Sequence, residues 1–340
     1  MMRIAFFYII FFTISFSANA QTANPEKYKY IFTVAKDGSG EFTTITAAIK
    51  AMRGYTLSPI TMYLKNGVYN EKIEILANLT DISFIGENVD STIITFDDYS
   101  GKGQLTTFTS YTAKISGNRF RAENITFANT AGRVGQGLAL YVDADMAIFK
   151  NCKFLGNQDT IFVGGEHARQ YFVNCYVEGT TDFIFGPATA IFQYCTIKGK
   201  TNSYITAANT PKGRSFGIII MDSNIEADTG VTKLYLGRPW RAYANTAFIR
   251  CTLPAVISPL GWDNWGNAGN EKTVTYAEYK NSGAGAANGM RVSWSKQLTR
   301  KQASAYTVEN ILGTDKSYLK QQEKWFTRND DGSFKWPVKK

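Results

Sequence analysis

Gln136, Asp159 and Asp182 follow one another at intervals of 23 residues. Asp159 comes seven residues after Cys152 in FKNCKFLGNQDTIFVGG, and Asp182 seven after Cys175 in FVNCYVEGTTDFIFGPA. Gln136 precedes Cys152 by 16 residues, as Asp159 precedes Cys175. If each repeat is one turn of a solenoid, equivalent positions stack at the spacing of neighbouring strands, about 4.8 Å. Two carboxylates so close cannot both ionise cheaply. One is expected to keep its proton and act as an acid, the other to act as nucleophile or base.

Arg238, in LYLGRPWRAYANTAFIRC, precedes Cys251 by 13 residues, just as Asp182 precedes Cys195. It is expected on the same side of the solenoid, its guanidinium fork holding Asp182 ionised and oriented. Asp159 is then the protonated partner. Gln136 and Gln158 offer amide N–H groups to a developing oxyanion. Phe185 and Trp240 follow the acidic and basic residues closely and suit the faces of sugar rings. Asp and Asn also fill turn positions in solenoids for purely structural reasons. Five polar residues falling on one side outweigh that reading.

Other chemistries lack their residues. Ser/His/Asp hydrolysis needs a histidine, and the chain has only His167, in the polar stretch GGEHARQ, where a solvated residue is expected. Zinc fails on ligand count, since no C-x-x-C pair accompanies that histidine. No G-x-x-x-x-G-K-[ST] phosphate loop occurs. Carboxylate chemistry remains.

The elements that must position these groups repeat. RAENITFAN (121–129), FKNCKFLGN (149–157), FVNCYVEGT (172–180), FQYCTIKGK (192–200), MDSNIEAD (221–228) and FIRCTLPA (248–255) share one pattern. Aligning Ile125, Cys152, Cys175, Cys195, Ser223 and Cys251 gives steps of 27, 23, 20, 28 and 28 residues. Such steps, built of short β-branched and aromatic strands, predict a parallel β-helix. Leucine-rich repeats need regular leucines that are absent. Strands are also predicted in ITMYLKNGVYNEKIEI and ISFIGENVDSTIITF. TTITAAIKAM (43–52) has helical spacing and is expected to cap the open end. QLTRKQASAYTVENIL, within the loops and helices expected over about 292–326, is amphipathic and is expected to pack along the outside.

Residues 1–20 read as a secretory signal peptide, with Arg3, an apolar run from Ile4 to Phe16 and an A-x-A end at Ala20. Residues 21–340 read as one domain with no membrane span, exported to the periplasm or the medium. The net charge of +9 loses one positive charge with that leader. A basic exported protein suits an acidic polysaccharide. Nucleic acid is not expected, because the basic residues are scattered without a recognition motif. The four cysteines recur at one strand phase and are expected to be free buried thiols, a disulfide between neighbouring rungs being the alternative.

DGSGEFTTITAAI (37–49), NGVYNEKI (66–73), GQGLAL (135–140), GNQDTIFV (156–163), GTTDFIFG (179–186), LGRPWRAYA (236–244), GWDNW (261–265) and AEYKNSGAGA (277–286) occur in this order. In them the chain resembles the pectin methylesterase (pectinesterase) family from near Val34 to about Leu312. The resemblance implies a right-handed parallel β-helix that hydrolyses methyl esters of galacturonate in pectin (methylated homogalacturonan) without a cofactor. It implies Asp182 as nucleophile, Asp159 as general acid/base and Arg238 as the arginine that fixes the nucleophile. It also implies Gln136 and Gln158 as oxyanion donors and Phe185 and Trp240 as substrate contacts. A monomer is expected. Gly137 and Leu138 depart mildly from the family pattern. The alternatives are a β-helical polygalacturonase or pectate lyase, or a non-catalytic polysaccharide-binding β-helix.

Overall fold

The computed structural model describes residues 28–287, 289–313 and 325. The leader expected at 1–20 lies outside them. Among the described residues, three parallel sheets run side by side. The first has eleven strands, from Ile31–Val34 to Lys296–Gln297. The second has seven, from Gly67–Asn70 to Asn224–Ala227, and the third seven, from Ile73–Ile75 to Tyr235–Gly237. A typical coil gives one strand to each sheet and then climbs to the next, which is the expected parallel β-helix.

The aligned row holds as a structural row. Lys153 pairs with Thr126 and Tyr176, and Thr196 pairs with Tyr176 and Asn224, so Ile125, Cys152, Cys175, Cys195 and Ser223 lie on successive coils. The bridge between Asn224 and Thr252 adds Cys251. All four cysteines are free and buried, as favoured from the sequence. Immediately before each member of the row the chain turns with positive φ, at Asn124, Asn151, Asn174, Tyr194, Asp222 and Arg250. Asn tolerates that conformation better than most side chains, and Asn151 donates to Asn124 at 2.6 Å.

Inside the solenoid, Phe149, Phe172 and Phe192 stack in register with centroid spacings of 4.8 and 4.3 Å. Each buried phenyl contributes about 1.5–3 kcal/mol of transfer free energy. Strand residues alternate faces, so Ile148, Tyr171, Ile191 and Ile219 of the first sheet point outward. There they meet Tyr306, Ile311, Leu312 and Trp325 in a second apolar cluster. The C-terminal helices Arg300–Ala303 and Val308–Gly313 thus pack along the outside, as expected. At the other end, helix Ile45–Ala51 begins on the Thr44 cap and places Ile45 and Ala48 in the main core beside Phe32 and Val34.

Candidate active site

Asp159 and Asp182 occupy the same turn on adjacent coils, each two residues before a third-sheet strand. Ile161 pairs with Ile184, which sets Asp159 opposite Asp182. The Asp159 N–H donates to the Thr181 carbonyl at 3.1 Å, and the Asp182 N–H to that of Tyr204 at 2.9 Å. Both residues have positive φ, 65° and 50°. Asp enters this region at lower cost than bulkier residues because its short side chain can bond locally. Both side chains are nevertheless buried, with residue exposures of 9% and 5%.

Burial drives the electrostatics. It pushes the Asp159 carboxyl up, the charge of Asp182 pushes it further, and Arg238 offsets part of the rise, leaving it at about 8. Burial also raises Asp182, but two hydrogen bonds and the charge of Arg238 oppose it, while Asp263 adds a further upward push. Arg238 Nε lies 3.0 Å from Asp182 Oδ1 and Nη2 2.6 Å from Oδ2. One carboxyl is thereby suited to hold a proton at neutral pH. The other has a bidentate cation to keep it charged.

Arg238 reaches Asp182 from a different row than the spacing implied. Thr206 pairs with Gly237 and Phe185 with Ala207, so Arg238 falls in the row of Phe185, three residues along from Asp182. The stretch from the third sheet to the next cysteine corner is three residues longer in that coil, and a long side chain spans the difference. Gln136 shows a related slip. Leu140 pairs with Ile161, so Leu138 stands opposite Asp159, and Gln136 lies two residues earlier. Its coil is two residues shorter between the third sheet and Cys152. Gln136 still adjoins Gln158, because the Gly137 N–H donates to the Gln158 carbonyl at 3.1 Å. Both glutamines are half-buried.

Phe185 is buried, and its ring centroid lies 5.9 Å from that of half-buried Trp240. They belong to a larger aromatic surface on the outer face of the third sheet. Tyr141, Phe162 and Phe185 stand in one register row. Phe108 approaches Phe162 at 5.1 Å and stacks near Trp240 at 6.4 Å. Tyr204 and Trp265 cover the Arg238 guanidinium, with ring centroids 4.0 and 3.8 Å from its Cζ. Sequence reasoning missed these five residues and Asp263. Phe162 was within reach, since it follows Asp159 by three residues as Phe185 follows Asp182. Tyr141 and Tyr204 also lie on third-sheet strands, but the segments that join those strands to the cysteine corners vary in length, so counting did not place them. Phe108, Asp263 and Trp265 lie outside the three sheets' strands, where spacing carries no signal. His167 is exposed, 3.4 Å from Arg214 Nη1. Among the described residues, no group of His, Cys, Asp and Glu has metal-holding geometry.

Comparison with known proteins adds an independent line. The family profile described as Pectinesterase matches residues 31–315. A probable pectinesterase/pectinesterase inhibitor 23 of Arabidopsis thaliana is 38% identical over 311 residues, covering 87% of this chain and 54% of its own length. The chain spans about half the length of the curated relatives it matches. Among solved structures, a pectin methylesterase from carrot superposes with a TM-score of 0.79 at 35% identity, covering 83% of this chain and 92% of its own. A pectin methylesterase in complex with a hexasaccharide superposes with a TM-score of 0.74 at 28% identity, covering 83% and 97%.

Proposed function

This chain belongs to the pectinesterase family, and we propose on that premise that it hydrolyses the methyl esters of galacturonate units in pectin. The observation that carries the site assignment is the asymmetry of two facing aspartates. Asp159 is raised to about 8, whereas Asp182 is gripped by a bidentate arginine. Asp182 attacks the ester carbonyl carbon through one carboxylate oxygen. The tetrahedral oxyanion takes hydrogen bonds from the Gln136 and Gln158 amides. As the C–O bond to the methoxy group breaks, Asp159 gives its proton to that oxygen and methanol departs. An anhydride now joins Asp182 to the sugar. Asp159, now ionised, takes a proton from a water molecule that attacks the sugar carbonyl carbon. Cleavage of the anhydride frees the galacturonate carboxyl and restores the Asp182 carboxylate.

Arg238 serves this cycle by orienting Asp182 and limiting its protonation. Phe185 and Trp240 give apolar faces against which sugar rings stack. Pectin is the proposed partner on the strength of the family, the aromatic surface and the basic net charge. Export to the periplasm or the medium, through the leader read at 1–20, and a monomeric state complete the proposal. The test is methanol release from methylated pectin, with viscosity followed in parallel. Methanol at constant viscosity in the wild type, lost in Asp182→Asn, is the expected result. Near-normal methanol release by that variant overturns the assignment. Falling viscosity without methanol overturns the activity itself.

A further inference from the structure

Arg238 is held on more than one side, and Asp182 accounts for only one of them. Its guanidinium plane is closed by Tyr204 on the coil after Asp182 and by Trp265 beyond. Trp265 has φ of 63°, a conformation that bulky side chains rarely adopt. Asp263 holds it there. The Asp263 Oδ1 accepts the Trp265 backbone N–H at 2.7 Å, closing a turn of the Asx type.

Asp263 is itself fixed by the fold. Gly237 bridges to Trp262 in parallel, so Asp263 stands opposite Arg238, and the Asp263 N–H donates to the Gly237 carbonyl at 3.2 Å. Trp262, one residue before, is fully buried, with ring centroids 5.7 Å from Phe248 and 4.7 Å from Tyr276. The turn therefore has a rigid anchor in the core at Trp262, and beyond Trp265 it is tied through Asn264 to Gly266 and to the helix Ala268–Glu271. The Asp263 contact is the one that fixes the Trp265 N–H itself. A long arginine side chain loses much rotamer freedom in a two-point grip on a carboxylate. A flat ring on the guanidinium face restricts the same rotations and leaves the in-plane N–H groups free to donate.

We propose that Asp263 is a positioning residue for this site. Through the turn it closes, it keeps Trp265 on the Arg238 guanidinium and so keeps Arg238 coplanar with the Asp182 carboxylate. The inference rests on the esterase reading for its kinetic consequences, while the clamp itself is readable without substrate.

The experiment compares Asp263→Ala, Asp263→Asn, Trp265→Ala and the Asp263→Ala/Trp265→Ala double variant. Asp263→Ala and Trp265→Ala are each expected to lower kcat on methylated pectin about tenfold, the scale of one lost cation–π contact. The double variant is expected to be no worse than either, because both remove one clamp. Asp263→Asn keeps an oxygen to accept the Trp265 N–H and is expected to recover kcat to within about twofold.

The pH–rate profile separates the turn from the charge. Asp182 faces Asp159 from the preceding coil, Tyr204 from the next, and Arg238 and Asp263 from beyond. Losing the grip of Arg238 moves the acid limb up in Asp263→Ala, whereas losing only a neighbouring negative charge moves it down in Asp263→Asn. Solvent exchange of the Arg238 Nε–H, read by NMR without substrate, is expected to quicken in Asp263→Ala and not in Asp263→Asn. Equal damage from Ala and Asn, additive losses in the double variant, or unchanged Nε–H exchange in Asp263→Ala each overturn the clamp. A wild type that releases no methanol overturns the esterase reading instead, and the exchange measurement still decides the clamp.

Discussion

Two Asp–Arg pairs stand on different corners of the solenoid and are alike in their local geometry. Arg238 grips Asp182 through contacts of 3.0 and 2.6 Å, and Arg250 grips Asp222 through contacts of 2.6 and 2.8 Å. Both aspartates have φ of 50°. Their carboxyl groups nevertheless move in opposite directions. Burial raises Asp182 despite its arginine. Burial also pushes Asp222 upward, but hydrogen bonds from Arg250 and Gln193 outweigh it and the carboxyl falls below its usual range. Deeper burial makes most of the difference, with the charge of Asp263 adding to it at Asp182 and the Gln193 amide opposing it at Asp222. Asp222 has the Gln193 amide at 3.0 Å, whereas Asp182 faces a second carboxyl in a drier corner. A bidentate ion pair is ordinary structural material, and it gains chemical use when water is excluded and another acid is placed beside it.

The sharpest way to break this comparison is to neutralise both aspartates. Asp182→Asn is expected to lower methanol release by at least about a thousandfold, because the amide is a far poorer nucleophile. Asp222→Asn is expected to stay within about twofold of wild type. A similar loss in both would mean that the two corners are not functionally distinct. Lysine substitutions come next in size. Arg238→Lys keeps the charge but loses the fork and both aromatic contacts, and kcat is expected to fall by about ten- to a hundredfold. Arg250→Lys is expected to leave kcat within about twofold, since its partner takes no part in the reaction.

How much of this could be read from the sequence depended on what lay between the landmarks. The cysteine row was legible because each member sits at a tight corner turned by one residue, so counting along it loses nothing. Asp159 and Asp182 were legible for the same reason, each lying seven residues beyond such a corner. Gln136 and Arg238 were counted back from the next corner, through segments whose length varies. They were therefore placed on the right side but two and three residues out of register. Trp265 and Asp263 escaped notice because their role depends on a turn conformation and a ring stacked on a distant arginine. Neither leaves a periodic trace.

The pH dependence of activity sharpens the comparison further. In the proposed mechanism Asp159 expels methanol in its protonated form, and burial with the charge of Asp182 raises its carboxyl to about 8. The rate of the wild type is therefore expected to decline on the alkaline side around that value. Asp222→Asn is expected to leave this limb in place. An alkaline limb that is absent, or displaced by Asp222→Asn, would remove Asp159 from the acid role.

The smallest effect concerns stability, and there the two corners carry opposite signs. Asp159 has a raised carboxyl, so between about pH 4, where the unfolded side chain ionises, and about 8 the folded state binds a proton that the unfolded chain has lost. Its contribution is fully present below that window and is lost as the pH rises through it. Asp159→Asn is thus expected to flatten the decline and to raise Tm near pH 8, at about 2–4 °C for each kcal/mol, while the rate collapses. Asp222 is lowered, so its contribution is present above the unfolded value and is lost as the pH falls through the folded one. Solvent screens this partly exposed pair, and Asp222→Asn is expected to cost no more than about 0.2–1 kcal/mol near neutrality and nothing in acid. Thermal unfolding of both variants from pH 3 to 8 reads the two slopes directly. Slopes of the same sign would show that one of the two carboxyls is not displaced in the direction its surroundings demand.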